Sequence, residues 1–134
     1  MKKTCETRLS HYQGSHGETI RICTQSKTWL KYFKCCINKL VDGELDQIEI
    51  TSMDCVKVFD FQSLTLVRVC NSKEIKIIKS NEDVHNFCFT WFQDIEELLT
   101  LVGLIDGLLC DDEPGHQYLN NALNKVIVEL AYKE

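Results

Sequence analysis

Two stretches of the chain repeat apolar residues at helical spacing. In the first, over about residues 26–42, one apolar stripe recurs at three- and four-residue steps, with lysines on the opposite face. Thr24 or Ser26 can cap its start, and Asp42-Gly43 supplies its stop because glycine readily takes a left-handed conformation. The stripe that we expect to be buried consists of Trp29, Leu30, Phe33, Cys36, Ile37, Leu40 and Val41.

The second helical stretch covers about residues 92–109. Its start offers two possible capping boxes, Thr90 with Gln93 or Asp94 with Glu97, in which the cap oxygen accepts a backbone amide. The acidic residues of its first turn are favoured by the helix dipole. The predicted buried stripe is Ile95, Leu98, Leu99, Val102, Ile105 and Leu109.

The remaining apolar segments are short and mostly alternate, which is typical of strands. A polar turn at 71–73 suggests a hairpin between two of them, and residues 81–83 look like another turn. Residues 1–16 are polar and suggest a loosely ordered start. The expected strands cover residues 18–24, 47–51, 64–70, 74–79, 84–91, 116–119 and 126–132.

The pattern therefore predicts an α+β fold, in the order β-α-β-β-β-β-α-β-β. An antiparallel or mixed β-sheet of five or more strands is packed by two α-helices. At 134 residues the chain should form one domain over residues 1–134.

Charge divides the chain into two unequal parts. Residues 80–134 hold eleven acidic and two basic side chains, whereas residues 1–79 hold nine acidic and thirteen basic ones. A one-sign acidic field repels nucleic acid and anionic lipid and attracts basic partners. The lysines at 27, 31 and 34 make only a short basic patch, so we expect no nucleic-acid binding. No apolar run approaches the roughly 20 residues of a membrane span, so we expect no membrane binding either.

Eight cysteines are many for this length, but no C-x-x-C pair occurs. The first residues carry two lysines without an apolar segment behind them, which is not a secretory signal. We therefore expect a cytoplasmic protein with eight reduced thiols. His11 and His16 lack further ligands nearby, so the sequence predicts no metal and no cofactor.

Catalytic patterns are weak. A nucleophilic cysteine needs an exposed, activated thiol, and Cys88 near His85 lies in an aromatic run that looks buried. Adjacent acids such as Glu96 and Glu97 point apart on a helix, so they do not form an acid–base pair. The sequence favours a binding protein over an enzyme.

The candidate partner-binding residues are the acids on or after the second helix. Those of its first turn can also serve the helix dipole, whereas Asp111, Asp112 and Glu113 have no such structural duty and are the stronger candidates. The full set is Asp94, Glu96, Glu97, Asp106, Asp111, Asp112 and Glu113.

Three segments resemble small immunity proteins of bacterial toxin systems, including contact-dependent growth inhibition. They are GETIRI at 17–22 leading into WLKYF at 29–33, FCFTW at 87–91 opening onto 95–108, and PGHQYL at 114–119 followed by 126–132 and Glu134. The resemblance implies an acidic, cytosolic α+β protein that binds and blocks one cognate toxin domain. It implies no particular contact residues. A nuclease-type toxin would be basic, since it binds phosphate.

Two other functions stay open at this point. The chain could be a small hydrolase or ligand-binding domain with a cleft that the sequence does not reveal. A self-assembling structural subunit is a further alternative. The toxin, its activity and the oligomeric state do not follow from the sequence.

Overall fold

The computed structural model describes residues 7–14, 17–83, 86–120 and 126–134. Within these ranges the chain forms two helices and nine strands, and the strands make two mixed sheets of five and four. The predicted α+β class is confirmed. The described strands form two sheets where one was expected, and Thr7–Gly14 (β1) and Val56–Val58 (β4) are strands that the sequence did not predict.

Helix α1 spans Lys27–Asp42 and follows its prediction closely. The Ser26 hydroxyl accepts a hydrogen bond from the Trp29 amide at 3.1 Å. Gly43 ends the helix at φ 82°, a left-handed conformation that costs glycine little. The buried face is the predicted stripe, except that Val41 is half-buried.

Helix α2 spans Ile95–Asp111 and begins after Asp94, whose carboxylate accepts the Glu97 amide at 2.9 Å. Its predicted stripe is wrong at Ile95 and Leu99, which are exposed. The buried face is instead Leu98, Leu101, Ile105 and Leu108. The helix is apolar on nearly every side, so the spacing of its apolar residues does not determine which side is buried. Packing against α1 and the core determines it.

The five-stranded sheet has the order β4-β1-β2-β9-β8, where β2 is Gly17–Thr24, β9 is Ile127–Tyr132 and β8 is Gly115–Asn120. Strand β1 corrects the expectation of a loose start for residues 7–14; residues 1–6 and 15–16 lie outside the described part. It pairs with β2 along its whole length and buries Thr7 and Leu9. Backbone pairing holds this strand, although its side chains are mostly polar.

The four-stranded sheet has the order β3-β5-β7-β6, with β3 at Gln47–Glu49, β5 at Ser63–Arg68, β6 at Lys76–Asp83 and β7 at Asn86–Gln93. The predicted hairpin between β5 and β6 is wrong, because β7 lies between them. The proposed turn at 81–83 is also wrong, since β6 runs to Asp83. Strand β7 takes the inner position because it buries Phe89 and Trp91.

The buried core combines residues from both helices and from both sheets. In the five-stranded sheet, Leu9, Ile20, Ile22, Val128 and Leu130 point into this core. Side chains at alternate positions therefore lie on the opposite face, called the outer sheet face below. In the described part of the chain, neither helix has the length and apolar character that crossing a membrane requires.

Candidate functional site

The acids at the start of α2 have structural roles in the helix. Asp94 is the N-cap, and Glu96 and Glu97 lie in the first turn, where the helix dipole favours negative charge. Glu96 is exposed and Glu97 is half-buried. Asp94 is therefore held by its own helix, and only the two glutamates present free carboxylates here.

Further along α2, the acids face the lysines of α1. Asp106 forms an ion pair with Lys34. Asp112, just after the helix, lies 3.8 Å from the Lys27 ammonium. Because α1 packs against α2, the basic patch of one helix partly neutralises the acidic run of the other.

Asp112 corrects the expectation that residues 111–113 have no structural role. It adopts a left-handed conformation, and its Oδ1 accepts hydrogen bonds from the Tyr132 hydroxyl at 2.6 Å and from Lys133 Nζ at 2.9 Å. The hydrogen bond from Tyr132, followed by that from Lys133, lowers the pKa of Asp112 to about 2. This carboxylate fastens the end of α2 to the end of β9.

Glu96, Glu97, Asp111 and Glu113 remain outside any ion pair among the described residues. They lie at the two ends of α2, and at 1.5 Å per residue Glu96 and Asp111 are roughly 22 Å apart. The seven predicted acids therefore do not form one compact patch.

A second acidic run, which sequence reasoning missed, follows α1. Residues 42–54, called the 42–54 segment below, contain Asp42, Glu44, Asp46, Glu49 and Asp54 and no base. All five acids are exposed, and none forms an ion pair with a described residue. The sequence shows this run of acids without a base, but the run lies within residues 1–79, whose total charge is positive. Counting charge over that whole part concealed it.

Backbone hydrogen bonds tie the start of the 42–54 segment to α1 and β5. The Glu44 and Leu45 amides donate to the Lys39 carbonyl, and the Arg68 amide donates to the Asp46 carbonyl. Tyr32 of α1 is 52% exposed. Its pKa is raised, first by Cys36 and in smaller part by burial and by the charge of Asp54. The segment thus presents five exposed carboxylates on a hydrogen-bonded backbone.

The outer sheet face carries a second polar constellation. Glu129 of β9 pairs across the sheet with Arg21 of β2, and the Arg21 Nε lies 3.2 Å from its Oε1. The Tyr12 hydroxyl donates to the same oxygen at 2.8 Å. Burial, and then this hydrogen bond, raises the pKa of Tyr12, so the phenol remains a donor.

His116 and Glu134 extend this constellation. His116 Nδ1 lies 2.8 Å from Glu134 Oε2, and Arg21 Nη2 lies 3.4 Å from Glu134 Oε1. Ligand-type atoms of His116, Glu129 and Glu134 all lie within 4.8 Å of one another. No spacing in the sequence signals this cluster, because β8 and β9 bring it together through strand pairing.

An open cleft of about 660 Å³ lies beside the cluster on the same face. Its lining is mixed in charge, with two arginines and two acids together with polar and aromatic groups. The lining residues are Arg8, Ser10, Arg21, Cys23, Gln25, Phe59, Asp60 and Glu134.

The cysteine and histidine candidates from the sequence do not meet in the described part. Its hydrogen bonds include none between a cysteine and a histidine; Cys88 Sγ instead donates to Gln62. His11 contacts Glu18 at 2.7 Å. His16 and His85, which entered the metal and nucleophile hypotheses, lie outside the described residues.

Comparison with protein-family models, with curated proteins and with solved structures found no match for this chain. The fold and the surfaces described above are therefore the basis for the functional argument.

Proposed function

We propose that this protein is a cytoplasmic immunity protein that binds and neutralises a cognate, basic toxin domain, and that it has no catalytic role. The observation that carries the proposal is the 42–54 segment. It offers five exposed carboxylates without ion-pair partners in the described part, on a hydrogen-bonded backbone. Such a field steers a basic partner and disfavours nucleic acid.

The composition around the segment also supports a protein partner. Leu45 of the segment and Tyr32 of the preceding helix are exposed, and an interface gains most of its energy from aromatic and apolar anchors surrounded by polar groups. The acids would then set the association rate, while Tyr32 and Leu45 would set the dissociation rate. The acids of α2 are less available to a partner, because Asp94, Asp106 and Asp112 already bond to groups of this chain.

The first experiment is co-expression with the product of the adjacent upstream gene, followed by pull-down. The second compares two variants that each remove two charges. The Glu44→Gln/Asp46→Asn pair changes the 42–54 segment, where the hydrogen bonds of these two residues with the described part of the chain involve backbone atoms alone. The Asp111→Asn/Glu113→Gln pair changes the end of α2.

The first variant should slow association roughly 3- to 10-fold at low salt, part of the 10- to 1,000-fold that steering supplies. The effect should shrink as salt rises, because screening sets in beyond about 10 Å at 0.1 M. The second variant should associate like the wild type. If only the second variant is slow, the interface lies at the end of α2; if neither is slow, the 42–54 segment is not the docking surface.

A ligand-binding protein is the second candidate function, and the cleft on the outer sheet face favours it. Its volume lies within the range of small-molecule sites, about 300–1,000 Å³. Arg8 lines it without an ion pair to any described residue and could bind an anionic group. A thermal-shift screen with phosphorylated and carboxylated small molecules tests this candidate, with Arg8→Gln as the variant that should lose the response.

A further inference from the structure

We propose that His116, Glu129 and Glu134 form a binding site for one divalent transition-metal ion, of which zinc is the best suited. This inference is independent of the proposed toxin binding. The three side chains come from β8, from β9 and from the residue two places after β9, and their ligand atoms lie within 4.8 Å of one another. Imidazole nitrogen and carboxylate oxygen are the ligands that zinc takes besides thiolate.

The cluster has spare negative charge. Glu129 and Glu134 are two carboxylates, and among the described residues one guanidinium, that of Arg21, forms ion pairs with both, at 3.2 and 3.4 Å. A divalent ion would balance this charge and would replace Arg21 as the partner of Glu134.

Two of the three ligands are anchored from outside. Glu129 is only 4% exposed, and the Tyr12 hydroxyl fixes its Oε1. The backbone at Glu134 is tied down, since Gln25 Nε2 donates to its carbonyl oxygen at 2.9 Å and the Lys133 amide donates to Thr24. Such outer hydrogen bonds orient metal ligands and contribute to affinity.

The side chains must still close around the ion. Zinc bonds of about 2.1 Å at tetrahedral angles place ligand atoms about 3.4 Å apart, so the 4.8 Å spread must contract. His116 and Glu134 can move, because their side chains are 41% and 27% exposed. Glu129 is the fixed point toward which they close.

The test uses the full chain, titrated with Zn²⁺ by calorimetry and with Co²⁺ by absorption spectroscopy. We expect one ion per chain and a Co²⁺ spectrum without a thiolate charge-transfer band, even though Cys23 lies in the adjacent cleft. The His116→Gln variant should lose more affinity than the roughly 10- to 100-fold that loss of an outer partner costs. Tyr12→Phe, which removes such a partner, should fall within that range.

The Arg21→Gln variant should change the zinc affinity in the opposite direction. Because Arg21 competes with the ion for Glu134, this variant should bind Zn²⁺ more tightly than the wild type. A site in which the arginine merely supports the ligands would be weakened by the same change.

Two matched controls separate this site from adventitious binding. His11→Gln removes a second described histidine that contacts a glutamate, and Glu113→Gln removes an exposed acid three residues from His116. Both should bind like the wild type. The proposal is overturned if the wild type binds no metal, if His116→Gln binds equally well, or if the Co²⁺ spectrum shows thiolate ligation.

Discussion

The buried face of α2 gives a sharp test of the fold, because two leucines of this helix have opposite environments. Leu101 is 2% exposed and belongs to the core, whereas Leu99, two residues earlier, is 50% exposed. Replacing each by alanine removes the same atoms from the same helix. Only the replacement at Leu101 leaves a cavity.

We expect Leu101→Ala to lower the free energy of unfolding by about 2–5 kcal/mol, the usual cost of the lost burial and the cavity. Leu99→Ala should change it by no more than about 0.5 kcal/mol, because alanine is also the better helix former. With an m-value near 2 kcal/mol/M, a loss of about 3 kcal/mol moves the urea midpoint down by about 1.5 M.

The assay is urea unfolding followed by tryptophan fluorescence. Trp29 and Trp91 are both buried, so their emission reports exposure of the core. The two variants should keep the wild-type m-value. If Leu99→Ala costs as much as Leu101→Ala, or if Leu101→Ala costs less than about 1 kcal/mol, α2 packs through a face other than the one described.

Three further predictions concern the Asp112 network, the α1 cap and the thiols. The fold lowers the pKa of Asp112 from 3.8 to about 2, so this carboxylate stabilises the fold above about pH 4 and loses that effect as pH falls from about 4 towards 2. The melting temperature of Asp112→Asn should therefore lie below that of the wild type near pH 6 and approach it near pH 2. A difference that stays constant with pH would contradict this link between the pKa and stability. Ser26→Ala should cost about 1 kcal/mol in urea unfolding because the Trp29 amide loses its acceptor, while Ser72→Ala in a short exposed turn serves as the control. Thiol blocking under native conditions and after unfolding, followed by mass spectrometry, should find eight free thiols in total, and disulfide-linked peptides would refute a reducing compartment.

Local signals predicted α1 well because each of them acts over a few residues. The cap at Ser26, the apolar stripe and the stop at Gly43 lie within one helix and need no distant partner. Helix α2 has an equally clear cap at Asp94, but this helix carries apolar residues on nearly every side. Which side is buried therefore depends on what packs against the helix. Periodicity identified both helices and could orient only the first.

Strand pairing is the part of the fold that local patterns could not reach. The short polar link between β5 and β6 suggested a hairpin, yet the more apolar β7 separates them and pairs with both. Strand β1 was not predicted for a related reason. Its mostly polar side chains give no strand pattern, although its backbone forms hydrogen bonds with β2 along its whole length. In both cases the energy lies in partners far away along the sequence.

The same distinction between local and distant contacts governs the candidate sites. In the sequence, the acids of residues 94–113 form a run without intervening lysines and suggest a single acidic surface. In the fold, Lys34 and Lys27 of α1 lie across from Asp106 and Asp112, which the order of residues along the chain does not show. The 42–54 segment keeps its charge because none of its acids meets a base in the described part. His116, Glu129 and Glu134 show the reverse case, in which residues with no shared motif meet through neighbouring strands. The charges that folding brings together or leaves unpaired, rather than the charges that are contiguous in the sequence, therefore select the surfaces to test.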